Sequence, residues 1–237
     1  MSLKIVNFSV LLLNSIAVAL SIFLGIQEED ILEHMGERGI LTSVSIAQLL
    51  IISLLSLRIF FMLYKNWKNQ LSQSQVLSNR FFWQNSFTIW LISSLGFLLL
   101  TIDERYKIHE RIDFKIHDFL QIEETGITDR IDDLIVFIYA LIGIAILYVY
   151  REEIIKYRRA FSCIKYALVM VFVMILIDVI SNRSDIIELF TNNPVLLSRI
   201  INWLTVIEES LKVFAEGYFI IACYAVLFKT KKSISNS

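Results

Sequence analysis

Residues 5–25 read IVNFSVLLLNSIAVALSIFLG, a run without a single charged side chain. A membrane-spanning helix needs about 20 mostly apolar residues to cross a hydrocarbon core of about 30 Å. Further runs that meet or approach this requirement cover residues 40–64, 82–102, 133–150, 161–180 and 200–228. A soluble domain cannot bury six such segments. The sequence therefore predicts an all-α, polytopic integral membrane bundle of six transmembrane helices, forming one membrane domain over residues 1–237.

The composition agrees with this class and excludes several others. Of the 237 residues, 56% are hydrophobic and 19% are charged, whereas a soluble domain has about 45–50% and about 25%. Such a chain is neither disordered nor collagen-like, and two cysteines cannot form a disulfide scaffold. The net charge is −1, and the sequence lacks a basic patch with interleaved aromatic residues, so we expect no nucleic-acid partner. The expected partner is the lipid bilayer.

The first apolar run allows a second interpretation, a cleaved signal peptide. Lys4 supplies a positive charge before the run, and Ala17-Val18-Ala19 has the small-residue pattern of a cleavage site. The apolar run continues past this pattern as far as Leu24. We therefore expect a retained membrane span.

Basic residues are concentrated at alternate ends of the predicted spans, which predicts the orientation. If six spans alternate, one side receives Lys4, then Lys65, Lys68 and Arg80, then Arg151, Lys156, Arg158 and Arg159, and finally Lys229, Lys231 and Lys232. Cytoplasmic loops carry an excess of lysine and arginine, so we expect both termini to be cytoplasmic. Residues 28–37 and 103–133 carry most of the acids and fall on the opposite side, although the second stretch also contains basic residues.

The last span carries a seam of polar residues. Its members are spaced 4, 3, 4, 3 and 4 residues apart: Ser198, Asn202, Thr205, Glu209, Lys212 and Glu216. This spacing keeps them on one face of an α-helix. At a rise of 1.5 Å per residue the seam covers about 27 Å, which is nearly the whole hydrocarbon thickness.

The charges of this span cannot face lipid, because a central Asp, Lys or Arg costs about 2.5–3.5 kcal/mol on insertion scales. Lys212 can pair with Glu208 or Glu216 at i,i+4 or with Glu209 at i,i+3. One lysine cannot neutralise three glutamates, so at least one carboxylate must hold a proton, bind a cation or meet a partner on another span. A polar network that only holds helices together is the alternative.

Asp178 lies near the outer end of the fifth span, at about the same depth as Glu208. It is expected either to join the polar site or to reach water at the membrane interface.

Residues 103–120 form an outer acidic segment, which is either a continuation of the third span or an amphipathic helix in the interface. Three of its polar residues follow i,i+4 steps: His109, Asp113 and His117. This spacing is compatible with a divalent metal, with Glu104 or Glu110 as a further oxygen ligand. A solvated or salt-bridged helix face is the alternative.

Acidic residues at the outer ends of the spans predict a vestibule. Asp103, Glu104 and Glu110 follow the third span, and Asp133 begins the fourth, where helix capping also explains a carboxylate. With Asp178 and the charges of the last span they form a funnel. Acidic vestibules concentrate cations and exclude anions.

The funnel favours movement of an inorganic cation or a proton by a channel or transporter. The predicted ion path consists of Glu208, Glu209, Lys212, Glu216, Asp178, Asn202 and Thr205. A chain of this size must either form a homo-oligomer or pack all six helices around one path. The alternatives are a membrane-embedded hydrolase and a scaffold or accessory subunit without chemistry.

The hydrolase alternative has two forms. Glu208-Glu209-Ser210-Leu211-Lys212 resembles, over these five positions alone, the double-glutamate motif of intramembrane glutamic proteases, in which a glutamate activates water. Those families place their histidines on later helices, whereas His109 and His117 come earlier here, so the chain is not assigned to them. The second form uses a divalent metal held by the histidines of the outer segment.

Overall fold

The computed structural model describes residues 2–36, 39–73, 85, 87–120, 131–181, 187, 191 and 193–235, with only the backbone at 71–73, 132, 133 and 235. The chain forms helices and no strand within these ranges, so the all-α prediction is confirmed. The helices are α1 Leu3–Gln27, α2 Ile40–Gln73, α3 Thr88–Tyr106, α4 Ile108–Leu120, α5 Ile131–Val149, α6 Arg151–Ile155, α7 Arg158–Ser181 and α8 Pro194–Ser235.

Four helices in the described part are long and apolar enough to cross a membrane: Leu3–Gln27, Ile40–Gln70, Arg158–Ser181 and Pro194–Ile234. They correspond to the first, second, fifth and sixth predicted spans. The prediction of six spans is thus met in part. α3 has 19 residues and ends in charged residues, and the predicted span at this point also includes residues 82–84 and 86, which lie outside the described residues. The apolar part of α5, Leu134–Val149, is shorter than a typical span.

The last helix occupies the centre of the bundle. α8 packs against α7, α2 and α1. Its fully buried side chains include Val213, Ala215, Ile221 and Val226. Small residues on this helix allow its neighbours to approach closely. Between the seam positions, Trp203 and Ile207 are about half exposed, whereas Val206, Val213 and Ala215 are buried. The seam itself is exposed at Ser198, partly buried from Asn202 to Lys212, and buried at Glu216.

The outer surface of the bundle is apolar. Large side chains of α1 and α7 that remain exposed include Phe8, Leu13, Phe23, Val169 and Phe172. The opposite face of α1 buries Asn14, Ala17 and Ser21 against its neighbours. An exposed face of large apolar side chains on helices of this length is typical of a lipid-facing surface.

Two of the predicted basic groups lie together at one end of the bundle. The Lys229 ammonium group donates to the carbonyl of Lys156 and lies 5.2 Å above the ring of Tyr157. The Tyr157 hydroxyl is 3.3 Å from Oγ1 of Thr230. The end of α8 and the α6–α7 junction are therefore neighbours.

The outer acidic segment is divided between two helices, because its first four residues end α3 and its remainder from Ile108 forms the separate helix α4. α3 ends at Tyr106, and Lys107 adopts a left-handed conformation with a φ of 50°. Its N–H donates to the carbonyl of Asp103 at 2.6 Å, and α4 then begins at Ile108. The break at Lys107 redirects the chain within one helical turn of Asp103 and Glu104.

Candidate functional site

Lys212 on α8 is held between two carboxylates. Its Nζ lies 2.7 Å and 2.9 Å from the two oxygens of Glu209, one helical turn away. The same nitrogen lies 3.0 Å from Oε1 of Glu104, at the end of α3. These three side chains are 16–21% exposed, so the cluster is largely removed from the surface of the protein. It has one positive and two negative groups.

The end of α3 positions Glu104 through the residue before it. Both oxygens of Asp103 contact His109: Oδ1 accepts from the backbone N–H at 3.0 Å, and Oδ2 lies 2.7 Å from Nδ1. Asp103 is only 6% exposed. This contact clamps the start of α4 to the last turn of α3, with Lys107 between them. As a result, Glu104 is held against α8, 108 positions before Lys212 in the sequence.

Glu216 lies one helical turn beyond Lys212 and is completely enclosed. Its Oε1 accepts a hydrogen bond of 2.6 Å from the Ser45 hydroxyl on α2. Its Oε2 is buried and has no hydrogen-bond partner within the described part of the chain. A buried carboxylate needs a partner for each oxygen, because an unsatisfied charged group in a medium of low dielectric is costly.

A chain of side-chain amides joins α1 and α2 to α8 at the same level. Nδ2 of Asn14 donates to the carbonyl of Val213 at 2.9 Å, and Nε2 of Gln48 donates to Oδ1 of Asn14 at 2.6 Å. Gly217 leaves the space for this chain, because a Cβ there would lie 2.5 Å from Nδ2 of Asn14. Glu216 and the amide chain therefore share one layer of the bundle.

Sequence reasoning missed Asn14, Ser45 and Gln48. They are buried polar residues in spans that consist mostly of apolar side chains. A signal was present in α2, where the buried polar residues recur mostly at three-residue steps: Thr42, Ser45, Gln48, Ser53 and Ser56. This stripe faces α8 and α3. It was overlooked because hydroxyl and amide groups are less costly in a membrane than charges.

The polar stripe of α2 continues away from Glu216. The Ser53 hydroxyl donates to the carbonyl of Ser94 at 2.8 Å, and the Ser56 hydroxyl lies 3.6 Å from Sγ of Cys223. Ser56 and Cys223 line a cavity of about 40 Å³, together with Trp90, Ser93 and Phe97 among others. The lining is mostly apolar, and its hydroxyl groups are those of Ser56 and Ser93.

The remaining predicted path residues surround the cluster at various distances. Asp178 of α7 lies near enough to act electrostatically on Glu209. Asn202 and Glu208 are partly buried on α8. The Thr205 hydroxyl donates to the carbonyl of Ile201 at 3.2 Å, which is a contact within the helix. The structure thus brings Glu209, Lys212 and Glu216 together with Asp178 nearby, and it does not bring Thr205 into the cluster.

The predicted metal ligands form separate pairs. His109 contacts Asp103, and Nδ1 of His117 lies 2.9 Å from Oδ1 of Asp113 one turn away. Across the described residues, groups of three or more metal-ligating side chains are absent. α4 presents these pairs as a salt-bridged helix face, and metal binding by His109, Asp113 and His117 stays a prediction.

The predicted vestibule residues also differ in their surroundings. Glu110 lies on α4 and contacts Nζ of Lys107 at 2.9 Å. Asp103 and Glu104 are occupied by His109 and Lys212 as described above. The side chain of Asp133 lies outside the described residues. Glu104 therefore belongs to the cluster at α8, which links the outer segment to the last helix.

The fold and the site together define an all-helical chain, typical of a membrane protein, whose central helix carries a buried group of charged side chains. A family model described as "Domain of unknown function (DUF8692)" matches residues 5–227, and the chain belongs to this family. Neither a curated protein nor a solved structure matches the chain.

Proposed function

We propose that this protein moves a proton or an inorganic cation across a membrane through the group of charged residues on α8. The observation that carries the proposal is the excess of negative charge around Lys212. The carboxylates of Glu104 and Glu209 contact one ammonium group, and a third carboxylate, that of Glu216, lies buried one helical turn further along the same helix. Burial of such an excess is unfavourable unless a mobile positive charge compensates it.

The position of the cluster supports this role. Lys212 and its two ion-pair partners retain about a fifth of their exposure, whereas Glu216 is buried. An ion that leaves the cluster of Lys212, Glu209 and Glu104 toward the interior would meet Glu216 next. Ionisable residues inside a membrane bundle usually mark such a pathway.

The polar stripe of α2 supplies a route beyond Glu216. Ser45 contacts Glu216, and Ser53 and Ser56 continue the stripe toward the cavity at Trp90 and Cys223. Hydroxyl groups and single water molecules can relay a proton, since each both donates and accepts hydrogen bonds. We place the path along the α2–α8 interface for this reason.

The topology belongs to the same proposal. In it, α3 and α5 complete the crossing to give six spans, and both termini lie in the cytoplasm with the basic groups around Lys156 and Lys229. The path lies either among the six helices of one copy or in a homo-oligomer.

Flux across sealed lipid vesicles tests the proposal. Vesicles containing the purified chain, loaded with a pH-sensitive dye and driven by a potassium diffusion potential, are expected to change internal pH faster than empty vesicles. Glu209→Gln removes one carboxylate from Lys212 and is expected to lower the rate at least tenfold. Uptake of labelled Na⁺ and Rb⁺ is measured in the same preparations.

The matched control is Glu152→Gln, which neutralises an exposed glutamate on α6 and is expected to keep the parent rate. The proposal fails if the parent moves protons, Na⁺ and Rb⁺ no faster than vesicles without protein. It also fails if Glu209→Gln and Glu152→Gln have equal rates.

A further inference from the structure

Two buried acceptor atoms lie in the layer of Glu216, and neither has a donor within the described part of the chain. They are Oε2 of Glu216 and Oε1 of Gln48, and both side chains are 6% exposed. Gln48 lies one turn from Ser45 on α2, and Ser45 donates to the other oxygen of Glu216. Most buried polar atoms in proteins have a partner, so two missing donors in one layer require an explanation.

The hydrogen bonds fix which atom of Gln48 is the acceptor. The carbonyl of Val213 can only accept, so the group of Asn14 that faces it must be the NH₂. Oδ1 of Asn14 then faces Gln48 and must accept from its Nε2. The remaining polar atom of Gln48 is therefore a carbonyl oxygen, held in place by a chain that begins at the backbone of α8.

We infer that Glu216 is the binding site of the transported ion and that this ion is a proton, carried on Oε2 and shared with Oε1 of Gln48. The proton comes from water on the outer side, forms an O–H bond with the carboxylate, and leaves to water or a hydroxyl on the other side. The carboxylate becomes a neutral acid and is regenerated. This assignment rests on the proposed function and names its substrate.

A single proton satisfies both orphaned acceptors, whereas a metal ion does not fit. Hard cations such as Ca²⁺ and Mg²⁺ take six or more oxygen ligands. Beside the carboxylate of Glu216, the hydrogen bonds of this layer bring in side-chain oxygens from Ser45, Gln48 and Asn14 alone within the described part of the chain, which is too few for such a shell. The charged groups that act on Glu216 are Lys212, Glu104 and Glu209, and its neighbours Ser45, Gln48 and Asn14 on α2 and α1 are uncharged.

Solid-state NMR of the intact protein in lipid bilayers tests this assignment, with ¹³C in the glutamate carboxyl groups. At pH 7 the parent is expected to show a carboxylic-acid resonance besides those of ionised carboxylates. This resonance should vanish in Glu216→Gln and persist in Glu152→Gln. A parent whose glutamates are all ionised at pH 7 would overturn the inference without any variant, as would persistence of the resonance in Glu216→Gln.

Substitutions at Gln48 and Ser45 are expected to shift the pH at which the acid resonance disappears in opposite directions. Gln48→Met removes the acceptor of the acid proton, so the resonance should disappear about one pH unit lower than in the parent. Ser45→Ala removes a donor to the carboxylate and should move the transition about one unit higher. One pH unit is a tenfold change in proton affinity, the size expected for one buried hydrogen bond. Ser43→Ala, which lies on the same helix but whose hydroxyl donates to the carbonyl of Gly39, should keep the parent transition.

Equal shifts in the same direction for Gln48→Met and Ser45→Ala would contradict the sharing of the proton. Loss of the resonance on addition of Na⁺ at constant pH would show a metal cation at Glu216 and also overturn the inference. The flux measurement separates the two proposals. If the acid resonance is present but no flux is measured, Glu216 is a proton site and the transport function is wrong. If flux is measured but Glu216 is ionised, the transport function stands and the proton site is wrong.

Discussion

Replacement of Lys212 by methionine is expected to lower the free energy of unfolding by about 3 kcal/mol. Methionine keeps the length of the side chain but leaves the carboxylates of Glu209 and Glu104 facing each other without a cation. Removal of one partner from a buried ion pair costs about 3–5 kcal/mol, because the remaining charge stays desolvated. We take the lower end because the cluster keeps some exposure. Unfolding in mixed detergent micelles, followed by loss of helical circular dichroism, measures the change.

A neutral cluster should recover most of this loss. The triple variant with Lys212→Met, Glu209→Gln and Glu104→Gln has no unpaired charge, so its stability is expected to lie nearer the parent than that of the single variant. Lys231→Met removes an exposed lysine from the same helix and should change the stability by less than about 1 kcal/mol. A single variant as stable as Lys231→Met would show that the lysine and the carboxylates are not coupled in the folded protein.

Gly217→Ala is expected to destabilise the protein by about 2 kcal/mol, although it adds one methyl group. The new Cβ would lie 2.5 Å from Nδ2 of Asn14 and 3.1 Å from Cγ1 of Val10. Asn14 cannot simply rotate away, because its amide is bonded to both the carbonyl of Val213 and Gln48. The substitution therefore either separates α1 from α8 or breaks the amide chain.

The chain offers matched controls for this effect. A Cβ at Gly96 on α3 or Gly143 on α5 would meet no atom within 4 Å, so Gly96→Ala and Gly143→Ala should be neutral or slightly stabilising. If the contact with Asn14 is the cause, Asn14→Ala should cost much less in the Gly217→Ala background than in the parent. Equal costs of alanine at positions 217, 96 and 143 would contradict the close packing of α1 on α8.

The sequence was sufficient for the class of protein and for the local arrangement within α8. Long apolar runs predicted the four long helices, and the spacing of Glu209, Lys212 and Glu216 placed them on one face of a helix. Both features depend on the period of a single helix, which a sequence displays directly. The pairing of Lys212 with Glu209 was among the options that this spacing allowed.

Contacts between distant helices could not be predicted in the same way. Glu104 was assigned to the outer vestibule and lies against Lys212, because the break at Lys107 and the clamp between Asp103 and His109 decide its position. Asn14 reaches Val213 across 199 positions of sequence. Such contacts follow from how helices pack. The sequence showed Asn14 in an apolar run but not the carbonyl that it would meet.

The central claim is that water reaches the seam of α8 inside the bundle, whereas the exposed side of this helix at Trp203 faces lipid. Thiol labelling in sealed vesicles tests it most directly, in a chain whose native Cys163 and Cys223 have been replaced. A cysteine at Thr205 lies on the seam one turn from Glu209, and a cysteine at Trp203 lies on the half-exposed apolar side. A thiol must ionise to react, which lipid prevents. We expect a membrane-impermeant methanethiosulfonate reagent to modify the Thr205→Cys variant and to leave Trp203→Cys unmodified. Modification of Trp203→Cys together with an inert Thr205→Cys would contradict the account.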